Sequence, residues 1–210
     1  MSGPRYAHVI FTGFAPFDVH DYNPSWDVAR AAADAMAGAV GAAGEFAHVD
    51  AHLLGVDFDT AERFARQALG EPCDGPRLLV HIGLAARRTC VAFEHAAHNR
   101  RSDVSGAELS DANCPGELVE GAPGRLQTAL LVDELVARFE ALIQGKNLPR
   151  AELSQDCGAY VCNATYYHSL QATAEARLSG QMCEALFVHV PLISAPEAAE
   201  LGGVLGLLFV

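Results

Sequence analysis

Arg77-Leu78-Leu79-Val80-His81-Ile82-Gly83 is the stretch on which the fold turns. It is a short apolar run closed by glycine, the length of a strand rather than a helix, and it reads as a buried strand. Upstream, Asp57 can cap a helix in which Ala61, Phe64, Ala65 and Leu69 recur at helical spacing. Residues 45–54 read as another strand. Pro24, with Asn23 as N-cap, opens an alanine-rich helix to about residue 37, and residues 8–12 form a first strand ended by Gly13. Downstream, residues 89–94 are a weaker strand and residues 127–143 a helix. Residues 151–155, 158–172 and 185–190 then read as strand, helix and strand. Residues 196–207 close the pattern as a helix that Gly202, Gly203 and Gly206 weaken.

Strands alternating with helices predict an α/β protein: a parallel or mixed sheet with helices on both faces. Sites in such folds gather beyond the C-terminal ends of strands. The rule points to residues 13–17, 83–88, 156–162 and 189–191. Residues 99–124 are polar and carry Gly106, Pro115, Gly116, Gly121 and Pro123. Such a stretch reads as one long loop, and loops of that length are often functional.

The chain has 210 residues, enough for one full core and short for two, so a single domain over 1–210 is expected. Its formal charge of −12, with 14 scattered Lys and Arg, argues against nucleic acid and against an anionic membrane surface. No apolar run reaches the roughly 20 residues of a membrane span, and no signal-peptide pattern opens the chain, so a cytoplasmic protein is expected. Cys73, Cys90, Cys114, Cys157, Cys162 and Cys183 should then be reduced thiols. They include no CxxC pair, so a structural zinc site is not expected.

Cys162 differs from the others in its setting. A strand end, a Gly158 turn and a helix start place it in the first turn of that helix, where amide groups and the helix dipole favour a thiolate. His189, late in Leu186-Phe187-Val188-His189-Val190-Pro191, is where a strand would present a base. His81 sits in a similar place and is a rival on pattern alone, as are His168, His95 and His98. The His95/His98 spacing suits one helix face, without an evident third metal ligand. Glu94 ends an apolar run and can orient an imidazole. Phe14 and Phe17 either join the core or line a small flat apolar pocket.

Taken together these segments resemble the pyroglutamyl-peptidase I family, also called pyrrolidone-carboxylate peptidases. Thr12-Gly13-Phe14-Ala15-Pro16-Phe17 and Asn23-Pro24-Ser25-Trp26 are similar to its N-terminal signature. His81-Ile82-Gly83-Leu84-Ala85 with Arg88, Phe93-Glu94 and Asn99 resembles a second block. Ser154-Gln155-Asp156 through Gly158, Tyr160, Cys162, Tyr166 and Tyr167 resembles the nucleophile segment, and Phe187 to Pro191 the histidine segment. The matches run in order over nearly the whole chain. The family pattern is not reproduced at Ala15, Asp18, Arg87 or residues 100–106.

The resemblance implies a catalytic triad of Cys162, His189 and Glu94, with His189 chosen over His81. It implies that Phe14 and Phe17 flank a pyrrolidone ring, with Tyr160 and Val161 close by. It further implies a single-domain three-layer sandwich with a mostly parallel sheet, no cofactor and no metal. The implied activity is removal of an N-terminal pyroglutamyl residue through an acyl-enzyme. The implied partners are pyroglutamyl peptides, with a homo-oligomer left open. A thiol amidase of altered acyl specificity and an inactive pyroglutamyl-binding relative are the alternatives.

Overall fold

A computed structural model describes residues 5–43, 47–70, 74–102 and 116–210. Its strands and helices follow one another as β1 (His8–Phe14), α1 (Pro24–Ala42), β2 (His48–Leu54), α2 (Phe58–Gly70), β3 (Arg77–Leu84), β4 (Val91–Glu94), β5 (Ala96–His98), β6 (Arg125–Gln127), α3 (Val132–Leu142), β7 (Ala151–Ser154), α4 (Val161–Leu178), β8 (Cys183–Val190) and α5 (Ala195–Leu207). Six strands form one sheet in the order β2-β1-β3-β8-β4-β7, and β5 pairs with β6 in a separate antiparallel ribbon. β3 lies inside the sheet with every residue buried, as its apolar run requires.

β2, β1, β3 and β8 run parallel. β4 is antiparallel to β8, and β7 is parallel to β4. The sheet is therefore mostly parallel, with two short strands reversed. Alternate strand residues feed two cores. Val9, Phe11, Leu78, Val80, Leu186 and Val188 pack with α1, α3 and α5. Ile10, Leu79, Ala185 and Phe187 pack with α2 and α4 on the other face. This is the expected three-layer arrangement.

Several expected boundaries move. The helix expected over 127–143 begins only at Val132, because Gln127 is paired in β6 and the Thr128 hydroxyl donates to Ala185 O at 2.6 Å. The helix expected over 158–172 runs instead from Val161 to Leu178, and α1 continues to Ala42. The expected strand over 45–54 begins at His48, residues 44–46 lying outside the described residues. His98 lies in strand β5 rather than on a helix, so the helical spacing read for His95 and His98 does not apply. The expected loop over 99–124 is described only at 99–102 and 116–124; Gly106, Cys114 and Pro115 lie outside the described residues, as does Cys73.

α5 forms in spite of its glycines, and packing explains why. A Cβ on Gly202 would sit 2.4 Å from Val28 O, and one on Gly206 would sit 2.2 Å from Ala32 O. The glycines let α5 lie directly on the backbone of α1, so the propensity cost of about 1 kcal/mol each is offset by close helix packing. The start of α5 is also fixed by a capping box, in which Ser194 N donates to Glu197 Oε2 at 2.9 Å.

Candidate active site

His189 is the penultimate residue of β8 and Glu94 the last of β4. Register brings them together: Ala92 faces His189 and Glu94 faces Phe187 across the antiparallel pair. His189 and Glu94 are thus diagonal neighbours on one face of the sheet, within reach of long side chains. His189 Nδ1 and Glu94 Oε1 lie 2.8 Å apart, both residues buried. A carboxylate only accepts, so Nδ1 carries the proton. Arg88 Nη2 stands 3.4 Å from the same oxygen, and Tyr166 OH donates to Glu94 O at 2.8 Å. Among the described residues Glu94 Oε2 has no hydrogen-bond partner.

Cys162 is the second residue of α4. Tyr160 is the N-cap in extended conformation and its side chain makes no capping bond. The first-turn amides, which have no partner within the helix, therefore surround the thiol with donors and the positive end of the helix dipole. Sγ packs against the end of β3: a Cβ on Gly83 would come within 2.9 Å of it and 2.7 Å of the Phe187 ring. Gly83 faces His189 in the β3–β8 register, so thiol, imidazole and glycine share one cup. Burial alone would push the His189 pKa down. Hydrogen bonds to Cys162 and Glu94, reinforced by their negative charge, prevail and raise it to about 9.

A second thiol lies beside this group. Cys157 is buried, and its sulfur, a Glu94 carboxylate oxygen and a His189 nitrogen lie within 4.8 Å of one another. These three could ligate a metal ion by distance, but the imidazole and carboxylate are already joined to each other. Burial pushes the Cys157 thiol pKa well above its ordinary value, with the Glu94 charge adding to the effect. Cys157 is thus a protonated thiol at neutral pH; both thiols line the pocket, Cys157 buried in its wall and Cys162 half-buried.

β7 runs against β8, so its C-terminal end does not point to the expected edge of the sheet. The segment 155–160 instead returns over the sheet face to deliver α4, and side chains fix its path. Asp156 Oδ1 accepts from Gly158 N at 2.9 Å and from Arg100 Nη2, and Arg100 Nε donates to Gly158 O at 3.2 Å. Burial would raise the Asp156 pKa, but Arg100 and the Gly158 amide hold it below the usual carboxylate value. Asn163 Nδ2 donates to His98 O and Arg100 O, tying α4 to the strand beyond β4. Asn99 Oδ1 accepts from Leu118 N and Val119 N, which pins the described end of the long loop.

A cavity of about 540 Å³ opens over the thiol, lined by Phe17, Leu84, Arg88, Tyr160, Cys162 and His189 among others. Phe17 and Tyr160 stand with ring centroids 6.4 Å apart, and Phe58 meets Tyr160 edge-on at 5.8 Å. The Arg101 guanidinium caps Phe58 at 4.0 Å. Phe14 and Val161 do not line this cavity. Both are buried behind it, Phe14 with its ring 6.3 Å from Phe187, which itself lies 4.8 Å from His189. Phe14 is held by Ser25 Oγ, which accepts from its amide at 3.0 Å, and Asn23 Oδ1 accepts from Ser25 N at 3.1 Å. That chain of bonds links the two halves of the N-terminal signature.

The rival histidine is elsewhere. His81 is fully buried between the hydroxyls of Thr12 (2.8 Å) and Ser169 (2.9 Å), and burial pushes its pKa down to about 3. His95 and His98 both contact Gln155 away from the thiol. Sequence reasoning missed Cys157, Phe58 and Arg100, whose roles depend on long-range placement. For Arg88 the motif was visible but not its place beside Glu94.

An α/β sandwich that presents a helix-start thiol, a charged imidazole and a buried carboxylate over a pocket defines a cysteine-type hydrolase. Comparison with known proteins narrows the class. The family model for pyroglutamyl peptidase matches residues 7–203. Human pyroglutamyl-peptidase 1 is 31% identical over 204 residues, spanning 95% of this chain and 86% of that protein. The pyrrolidone-carboxylate peptidase of Klebsiella pneumoniae (strain 342) is 29% identical, spanning 93% and 83%. The crystal structure of Bacillus amyloliquefaciens pyroglutamyl peptidase I superposes with a TM-score of 0.70, over 97% of this chain and 96% of that one at 20% identity. The chain belongs to the pyroglutamyl peptidase family.

Proposed function

We propose that this protein hydrolyses the bond after an N-terminal pyroglutamyl residue, with Cys162 as nucleophile, His189 as its proton-transfer partner and Glu94 as the group that orients the imidazole. The observation that carries the reading is the Glu94–His189–Cys162 contact at the base of the pocket, in a chain whose family is settled over most of its length. The Cys162 thiolate attacks the carbonyl carbon joining pyroglutamate to the next residue. First-turn amides of α4 meet the developing oxyanion. The His189 imidazolium gives its proton to the leaving amine, and a thioester remains. His189, now neutral, takes a proton from water; the resulting hydroxide attacks the thioester and releases pyroglutamate and the thiolate.

Phe17 and Tyr160 flank the uncharged ring at the pocket wall, and Phe14 and Val161 support that wall from behind. Between these two rings a free N-terminal ammonium would lose its water, which favours a cyclised, uncharged N-terminus. The steps draw on no cofactor. The catalytic unit is the single domain over 1–210, acting on peptides rather than nucleic acid. No helix among the described residues is long and apolar enough to cross a membrane. A reducing cytoplasm suits a nucleophilic thiol, and Cys90, Cys157 and Cys162 are free thiols.

Release of a reporter from a pyroglutamyl amide tests the proposal. Cys162→Ala should abolish it, and retained turnover would end the assignment. Turnover of a prolyl or free glutaminyl amide in preference to the pyroglutamyl one would point instead to an amidase of altered specificity.

A further inference from the structure

Far from the thiol, at the start of β1 and β2, three ligating side chains converge. His8 and His48 are partners in the parallel β1–β2 register, and Asp50 lies two residues beyond His48. The period of two puts all three on one face of the sheet. His8 Nε2 stands 2.8 Å and His48 Nδ1 2.9 Å from the same oxygen, Asp50 Oδ2. The rings meet edge-on with centroids 4.8 Å apart, and the three donor atoms lie within 4.8 Å of one another. Two imidazoles aimed at one carboxylate oxygen are arranged as ligands around a common centre rather than as separate surface pairs.

We propose that His8, His48 and Asp50 form a binding site for a late first-row divalent cation, Zn²⁺ being the representative, at the β1–β2 edge of the sheet. The donor set is right for such an ion: two imidazole nitrogens and one carboxylate oxygen, with water completing a tetrahedron. Ligand atoms about 2.05 Å from a tetrahedral ion are about 3.3 Å apart, so the present 2.8 and 2.9 Å separations need open by only about half an ångström. His48 is largely exposed and free to make that adjustment. Arg77, opposite His8 in β3, works against a cation, but its guanidinium donates to Ala68 O and the chain carries a formal charge of −12.

Binding would clamp the outermost strand β2 to β1 and so stabilise the fold without touching the pocket. The site stands independently of the peptidase reading. The test titrates the whole protein with Zn²⁺ by calorimetry, alongside His48→Ala and Asp50→Asn, and follows melting temperature with and without the ion. The wild type should bind one equivalent that each variant loses or binds at least tenfold more weakly, and only the wild type should melt higher with Zn²⁺. Both variants should keep the metal-free activity of the wild type. Equal uptake by all three proteins would overturn the site; inhibition alongside it would point to Glu94, Cys157 and His189, the other such cluster among the described residues. No uptake by the wild type would overturn it as well.

Discussion

His81 and His189 occupy neighbouring strands, face the same side of the sheet and are both buried, yet they are held in opposite charge states. His81 lies between two hydroxyls in an apolar shell of Phe64 and Phe187, and burial drives its pKa to about 3. His189 lies two positions nearer the strand ends, where Glu94 and Cys162 reach it, and its pKa rises to about 9. Burial is shared; the partners differ. A neutral hydroxyl offers nothing to offset the cost of a buried imidazolium, whereas a carboxylate and a thiol that can ionise do. One histidine is therefore a packing element that carries hydrogen bonds, and the other has the partners that the proposed proton-transfer role requires.

The contrast breaks most severely at the catalytic end. His189→Ala should lower kcat/KM about 10⁴-fold, equivalent to about 5 kcal/mol, with the fold retained by circular dichroism. Glu94→Gln keeps the shape but removes the charge. It should cost about 10³-fold and move the alkaline limb of the pH–rate profile to lower pH, because His189 loses one of the groups that raise its pKa. Gly83→Ala intrudes on Cys162 Sγ and the Phe187 ring, and should lower kcat about 10²-fold while changing KM little, as measured by steady-state kinetics.

The smallest effect on rate belongs to His81. His81→Gln should leave kcat within a few-fold and alter acid stability instead. Its folded pKa of about 3 lies below the 6.5 of the unfolded chain. Between those values the unfolded state binds a proton that the folded state refuses, so stability falls as pH drops through this window. The variant should remove about 2 kcal/mol or more of that fall, read from urea midpoints at pH 7 and pH 4. His189 works in the other direction. Its folded pKa is raised, so its contribution is full below 6.5 and is lost as pH climbs through about 9.

Local pattern carried the alternation of elements, because Arg77-Leu78-Leu79-Val80 and Leu186-Phe187-Val188 advertise buried strands in composition alone. It did not carry direction: nothing within Val91-Ala92-Phe93-Glu94 says that β4 runs against β8, though that reversal is what sets Glu94 diagonally from His189. The β5–β6 ribbon was hidden because its strands have three residues each and 26 residues separate His98 from Arg125 in sequence. Gly202 and Gly206 argued against α5 when read for propensity, and their use emerges only against the backbone of α1. At the site, pattern left His81 and His189 equivalent. The ordered resemblance separated them, and the hydrogen-bond partners explain why. Cys157, five residues before Cys162, was legible as a thiol but not as a neighbour of Glu94 and His189.

That second thiol makes the decisive measurement a question of which sulfur carries the acyl group. Acid-quenching the protein during turnover of a pyroglutamyl ester, followed by peptide mapping with mass spectrometry, reads this directly. A pyroglutamyl adduct on the peptide bearing Cys162, resolved by fragmentation from Cys157, is the predicted result. An adduct on Cys157, or turnover with no adduct on any thiol under conditions where acylation outruns hydrolysis, would contradict the account.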